Sequence, residues 1–129
     1  MMVKIRRCQM SVHIIADLLG VRAELIEKAE VVKSLLEPVV KEVKFNILGS
    51  RYHQFKPYGV SCIYLLAESH ISLHTWPEAG YVAMDIFTCG DEEKAFRAME
   101  LIEKAFEPKD VRKQVIWRNY YKKLPVQRV

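Results

Sequence analysis

The sequence contains no apolar run that is long enough to span a membrane. One of its longest apolar runs, Val60 to Ala67, includes a serine and a cysteine and is far shorter than the ~20 residues that a membrane helix requires. The N-terminal segment has basic residues, but His13 and Asp17 interrupt the apolar residues that follow, unlike the apolar core of a secretory signal. We therefore expect a cytoplasmic protein that does not contact a membrane.

Glycine, proline and cysteine are also scarce. The five glycines and five prolines among 129 residues exclude a collagen-like or low-complexity chain. The three cysteines, Cys8, Cys62 and Cys89, form no metal-type pair and leave one unpaired in any disulfide scheme, which is typical of a reducing compartment. We expect one globular domain over residues 1–129, in which disulfides play no part.

The chain has a net charge of +4, and several of its basic residues are concentrated in the C-terminal region. A basic balance can indicate nucleic-acid binding, but no recognised binding motif with interleaved aromatic residues accompanies it. We therefore interpret the basic C-terminal region as a solvated surface without a nucleic-acid partner. Its basic residues are Arg112, Lys113, Arg118, Lys122, Lys123 and Arg128.

Hydrophobic spacing predicts two helices. Apolar residues recur every three or four positions from Leu25 to Val40, which is typical of an amphipathic helix. We place this helix at residues 22–38, because Pro38 should lie near its end. A second apolar stripe follows Asp91, a residue that can cap a helix, and stops at Pro108.

Short β-like segments account for most of the remaining chain. They lie at residues 11–20, 43–55, 60–67, 71–76, 81–88 and 111–117. Two helices and about six strands predict an α+β fold, a two-layer sandwich of a mostly antiparallel sheet with both helices packed on one face.

The fifth strand indicates what lies on the other face of that sheet. Val82, Met84 and Ile86 alternate along the strand and suit the helix side, so their neighbours must face the opposite way. Those neighbours are Tyr81, Ala83, Asp85, Phe87 and Cys89. Because this second face carries aromatic side chains, we expect a partner subunit to cover part of it.

The most unusual stretch contains a serine, two histidines and a cysteine. His70, His74 and Cys89 suggest a zinc site, but on a regular strand the two histidines lie ~13 Å apart, so we expect no metal.

Ser69 and His74 suggest a nucleophile and a base. They are five positions apart, so on one strand their side chains point to opposite faces about 16 Å apart. Either the chain breaks at Ser69 or the histidine comes from another subunit. Taken singly, each residue also fits an ordinary structural role.

Two segments, "FKPYGVSC" (55–62) and "ESHISLHTWPEAGYVAMDIFTCG" (68–90), resemble the small bacterial and archaeal form of S-adenosylmethionine decarboxylase. The resemblance implies a precursor that cuts itself between Glu68 and Ser69. The products would be a β chain, residues 1–68, and an α chain, residues 69–129. Ser69 would become a pyruvoyl group, the covalent cofactor, which forms a Schiff base with the substrate amine and accepts electrons as CO₂ leaves.

The same resemblance implies roles for further residues. Cys89 matches the family's proton donor, His74 matches the histidine that promotes elimination during processing, and Ser61 matches a residue that assists processing. The remaining matches are to substrate-binding residues: Phe55 stacks on the adenine, Glu78 holds the ribose hydroxyls and Glu68 lines the site. The family's site lies between two protomers, which implies a homodimer with shared active sites and agrees with the separation of Ser69 from His74.

Some positions depart from the family pattern and leave alternatives open. Ser11 and Val12 stand where a glycine and a basic residue are usual, and Cys62 stands where a glycine is common. Relatives on this fold decarboxylate arginine or ornithine with the same cofactor, although the "FKPYGVS" segment and Glu78 favour the nucleoside substrate. A non-catalytic α+β interaction domain is the other alternative. The favoured reaction supplies the aminopropyl donor for spermidine biosynthesis.

Overall fold

A computed structural model describes residues 10–119 of the chain, and they form one antiparallel sheet with two helices. The six strands are β1 (Met10–Leu19), β2 (Ile47–Gln54), β3 (Val60–Leu66), β4 (Ser69–Trp76), β5 (Tyr81–Cys89) and β6 (Asp110–Asn119). They lie side by side in the order β2-β3-β4-β5-β1-β6, and every neighbouring pair is antiparallel. The predicted α+β fold is confirmed.

The two helices pack against each other and against one face of the sheet. They are α1 (Ala29–Val43) and α2 (Glu92–Phe106), and short 3-10 turns occur at Ala23–Leu25 and Pro77–Ala79. Leu36 of α1 and Ile102 and Phe106 of α2 are fully buried. Buried side chains of this size supply most of the energy that holds such layers together.

The predicted bounds of the first helix, residues 22–38, are wrong at both ends. The helix starts at Ala29, after the 3-10 turn, and continues through Pro38 to Val43. Pro38 is exposed and removes one helical hydrogen bond, to the carbonyl of residue 34. The helix continues because Val39, Val40 and Val43 beyond it are buried in the core, which outweighs the loss of that bond.

The alternation predicted for the fifth strand is confirmed. Val82, Met84 and Ile86 of β5 are buried against the helices, whereas the residues between them are only half-buried. The same open face presents apolar side chains from other strands, including Ile15 (41% exposed), Ile63 (45%) and Leu65 (55%). A partner subunit on this face stays a prediction.

The described residues include only part of the basic C-terminal region. Arg112, Lys113 and Arg118 belong to β6, whereas Lys122, Lys123 and Arg128 lie outside the described residues, as does Cys8. Within residues 10–119, no helix has the length and apolar character that crossing a membrane requires.

Candidate active site

The predicted cleavage point lies in the tight turn that joins β3 to β4. Leu66 and Ser69 are paired across this hairpin, and residues 67 and 68 form the turn. β4 therefore begins at Ser69, two residues earlier than the sequence predicts. Ser69 has a φ angle of 152°, in a backbone region that only glycine adopts readily, and such strain costs on the order of 1–3 kcal/mol.

Contacts from three parts of the fold hold Glu68 on the N-terminal side of Ser69. The backbone N–H of Cys89 donates to the Glu68 carbonyl at 2.9 Å. Asn46 donates from its backbone N–H and its side-chain Nδ2 to the two carboxylate oxygens of Glu68, at 3.1 and 2.9 Å. Lys94 Nζ lies 3.4 Å from one of these oxygens. The Glu68 side chain is only 12% exposed, so the turn is fixed at both its backbone and its side chain.

The β4–β5 register places Ser69 opposite Thr88, the residue that precedes Cys89. Cys89 therefore lies beside this turn. Cys89 is disulfide-bonded in the structure, so the expectation that disulfides play no part is wrong for this residue. A thiol has to be reduced before it can donate a proton. Cys62, by contrast, is free and buried on the helix side, where burial raises its pKa to about 12.

A second group of predicted residues assembles at the far end of β4. Ser61 and His74 are directly paired between β3 and β4, and Ser61 Oγ lies 2.7 Å from His74 Nδ1. This contact orients the imidazole ring and leaves Nε2 available for proton transfer. Phe55 and Glu78 line the same cavity of about 250 Å³ as these two residues.

Sequence reasoning missed two aromatic residues of this cavity, Tyr58 and Trp76. The Trp76 ring stacks on Tyr81 with centroids 5.2 Å apart. The Tyr81 hydroxyl donates to Asp17 at 2.6 Å, and this hydrogen bond is the main reason for its raised pKa. The "HTWPE" segment (74–78) already offered a signal, because an exposed tryptophan next to a predicted binding carboxylate is typical of a ligand site.

The structure does not bring the two groups of predicted residues together within one chain. Glu68, Ser69 and Cys89 lie at the start of β4, whereas Ser61 and His74 lie near its other end. Ser69 and His74 are five positions apart, which corresponds to about 16 Å of extended strand. The two groups therefore lie apart within one chain, as the spacing in the sequence predicts.

A third cluster, which sequence reasoning missed, occupies the open face of the sheet between these groups. His13 Nε2 and His70 Nε2 lie 2.7 and 2.9 Å from the same carboxylate oxygen of Asp85, and the Ser72 hydroxyl donates to the other oxygen. Partial burial by itself raises the pKa of Asp85, but the hydrogen bonds from Ser72, His70 and His13 outweigh it and lower the pKa. The cluster depends on strand register, which the sequence does not reveal, because His13 and Asp85 are 72 residues apart.

The three donor atoms of this cluster are close enough together to hold a metal ion, but their surroundings favour a hydrogen-bonded network. Arg118 Nη1 lies 3.4 Å from His13 Nδ1. A guanidinium can only donate, so in this contact Nδ1 is the acceptor, and Nε2 lies on the side of the ring that faces Asp85. His70, His74 and Cys89, the zinc set considered from the sequence, do not converge, because His70 contacts Asp85 and His74 contacts Ser61.

Comparisons with known proteins agree on one family. The family model described as S-adenosylmethionine decarboxylase matches residues 12–119. The S-adenosylmethionine decarboxylase proenzyme of Archaeoglobus fulgidus is 52% identical over 106 residues, covering 82% of this chain and 95% of that protein. The proenzyme of Sulfurihydrogenibium sp. is 50% identical over 109 residues, covering 84% and 82%. The crystal structure of the adenosylmethionine decarboxylase from Aquifex aeolicus has a TM-score of 0.84 at 43% identity, covering 94% of this chain and 100% of that one.

Proposed function

This chain belongs to the S-adenosylmethionine decarboxylase family, and we propose that it forms its active site by cutting itself between Glu68 and Ser69. The chain is an S-adenosylmethionine decarboxylase whose pyruvoyl group arises by self-cleavage of a proenzyme. The observation that carries the residue assignment is the strained turn at Ser69, with the Glu68 carbonyl held by the Cys89 N–H at 2.9 Å.

Self-cleavage begins when the Ser69 hydroxyl attacks the Glu68 carbonyl carbon. Negative charge develops on the carbonyl oxygen, and the Cys89 N–H already donates to that oxygen, as an oxyanion-hole donor does. Transfer of the acyl group from the Ser69 nitrogen to its oxygen gives an ester. Loss of the Ser69 α-proton then expels the Glu68 carboxylate and leaves a dehydroalanine, which water converts to the pyruvoyl group with release of ammonia.

His74, supported by Ser61, is the residue that we assign to removal of this α-proton. The Ser61 contact on Nδ1 fixes the ring, and neutral imidazole is a suitable base near neutral pH. Because His74 lies about five strand residues from Ser69 in its own chain, roughly 16 Å, the base must come from a second copy. The proposed enzyme is therefore a homodimer of processed β and α chains with two shared sites.

The cavity beside His74 has the chemistry to bind the nucleoside part of the substrate. Phe55 is 47% exposed and free to stack on an adenine. Glu78, on the exposed 3-10 turn, offers a carboxylate that can accept hydrogen bonds from two ribose hydroxyls. A free amino acid needs neither contact, so these residues favour S-adenosylmethionine over arginine or ornithine.

Decarboxylation requires a group that accepts electrons at the substrate Cα, and the pyruvoyl carbonyl supplies that electron sink. Ser69, its source, lies beside Cys89. We assign to the reduced thiol of Cys89 the return of a proton to Cα after CO₂ has left. The product is the aminopropyl donor for spermidine biosynthesis.

Mass spectrometry of the purified protein tests the cleavage assignment. We expect two fragments divided between Glu68 and Ser69, with the second fragment blocked at its N-terminus. Ser69→Ala should remain one uncut chain without activity, and decarboxylation by that variant would contradict the assignment. Measuring CO₂ release from S-adenosylmethionine, arginine and ornithine side by side should show turnover of the first alone.

A further inference from the structure

We propose that Asn46 and Lys94 are positioning residues for self-cleavage, because they hold the Glu68 side chain and so present the Glu68–Ser69 peptide bond to the serine hydroxyl. This inference rests on the proposed cleavage at that bond. It gives the Glu68 carboxylate a structural role during processing in place of the substrate contact that the family resemblance implies.

Asn46 makes three hydrogen bonds to the turn. Its backbone N–H and its Nδ2 donate to the two carboxylate oxygens of Glu68 at 3.1 and 2.9 Å, and its carbonyl accepts from the Ala67 N–H at 2.8 Å. Asn46 lies in the short connection between α1 and β2. One residue therefore links the turn to the end of α1 and fixes both the backbone and the side chain on the N-terminal side of the cut.

Lys94 connects the same carboxylate to the second helix. Its Nζ lies 3.4 Å from Glu68 Oε2 and donates to the carbonyl of Lys44 at 3.0 Å. It also lies 5.9 Å from the centre of the Phe45 ring. The Lys94 and Glu68 side chains are 27% and 12% exposed, so water screens this ion pair less than it screens a fully exposed pair.

Glu68 is thereby held from two directions. Asn46 and Lys94 bind its carboxylate, and the Cys89 N–H binds its carbonyl oxygen. A residue fixed at both places cannot rotate to relieve the strained φ angle of the next residue, Ser69. Attack by the neighbouring hydroxyl depends on that orientation, since small misplacements of a reacting group reduce rates strongly.

The carboxylate of Glu68 is also poorly placed to contact the substrate from its own chain. Three donor groups already occupy its oxygens. The same contacts remain available after the cut, when Glu68 is the last residue of the β chain. They should keep that new terminus in place.

The test compares cleavage rates of newly synthesised full-length precursors, followed on gels over time. Lys94→Met and Asn46→Ala each remove one side-chain hydrogen bond to the Glu68 carboxylate, and we expect each to slow cleavage by roughly three- to tenfold. Glu68→Gln keeps the size of the side chain, loses its charge and should also slow cleavage. Lys104→Met is the matched control, because Lys104 is an exposed lysine ten residues further along α2, and it should cleave at the wild-type rate.

Two further measurements separate positioning from a general effect on folding or on substrate binding. Lys94→Arg, which keeps the charge, should recover most of the cleavage rate. Once cut, Lys94→Met and Asn46→Ala should show the wild-type KM, and the wild-type kcat per pyruvoyl group. Wild-type cleavage rates in both Lys94→Met and Asn46→Ala would overturn the proposal, as would a raised KM in either of these variants once cut or a failure of Lys94→Arg to recover the rate. Cleavage of Ser69→Ala would instead contradict the underlying cleavage site.

Discussion

Two inactive variants should restore each other if the active site is shared between subunits. Ser69→Ala removes the nucleophile and source of the pyruvoyl group, and His74→Ala removes the base about 16 Å away along β4. In a mixed dimer, the His74→Ala copy contributes Ser69 and Cys89, while the Ser69→Ala copy contributes His74, Ser61, Phe55 and Glu78. One of the two sites is then complete.

The expected magnitude follows from this arrangement. Random pairing makes half of the dimers mixed, and each mixed dimer has one complete site of two, so co-expression should recover roughly a quarter of wild-type activity from two variants that are each inactive. Mass spectrometry should show that the cut chains all carry His74→Ala and that the Ser69→Ala chains remain intact.

The assay needs two differently tagged copies, so that mixed dimers can be purified and their CO₂ release measured. A double variant, with both substitutions in one chain, serves as the control. Co-expressed with Ser69→Ala it forms dimers without any Ser69, and co-expressed with His74→Ala it forms dimers without any His74, so we expect no activity from either mixture. If the mixture of single variants is inactive although mixed dimers form, the shared-site reasoning is wrong.

Three further predictions concern individual side chains. Cys89→Ala should still be cut but lose most turnover, and the wild-type enzyme should be more active after treatment with a thiol reductant, as CO₂ release with and without reductant will show. Phe55→Ala should raise KM for S-adenosylmethionine by roughly tenfold or more, because stacking on a base contributes ~1–3 kcal/mol, while leaving the extent of cleavage unchanged. Asp85→Asn should lower the free energy of unfolding by about 1–2 kcal/mol at pH 7. Because the pKa of Asp85 is lowered in the folded protein from its ordinary value of 3.8, its stabilisation is present above that value and is lost as the pH falls below it. Urea unfolding should therefore show a difference between Asp85→Asn and wild type at pH 7 that becomes smaller as the pH falls below 3.8, and a difference that does not decrease there would contradict this assignment.

The sequence predicted those features of the fold that depend on local patterns. The alternation along β5 correctly separated Val82, Met84 and Ile86 from the residues of the open face. Pro38 misled the prediction of α1, because the burial of Val40 and Val43 after it depends on tertiary packing. A proline is a reliable end to a helix only where nothing beyond it is buried.

The candidate site was predictable to the extent that its residues are close together in the sequence. The spacing of Ser69 and His74 correctly indicated that they do not meet within one chain. The His13–Asp85 and Asn46–Glu68 contacts were not predictable, because they join residues 72 and 22 positions apart. Such contacts follow from strand register and helix placement, and a short stretch of sequence specifies neither.

The order of the strands has a consequence for the enzyme after it has been cut. With the proposed cut between Glu68 and Ser69, the β chain would contribute β1, β2 and β3 and the α chain β4, β5 and β6, yet β1 lies between β5 and β6 in the sheet. The two products are therefore interleaved, and separating them means breaking the hydrogen bonds along both edges of β1 and those between β3 and β4. Refolding from separate products would be a bimolecular reaction, which slows with dilution, whereas the intact precursor folds at a rate independent of its concentration. Self-cleavage thus converts a chain that can refold alone into an assembly whose recovery from unfolding depends on finding its other half.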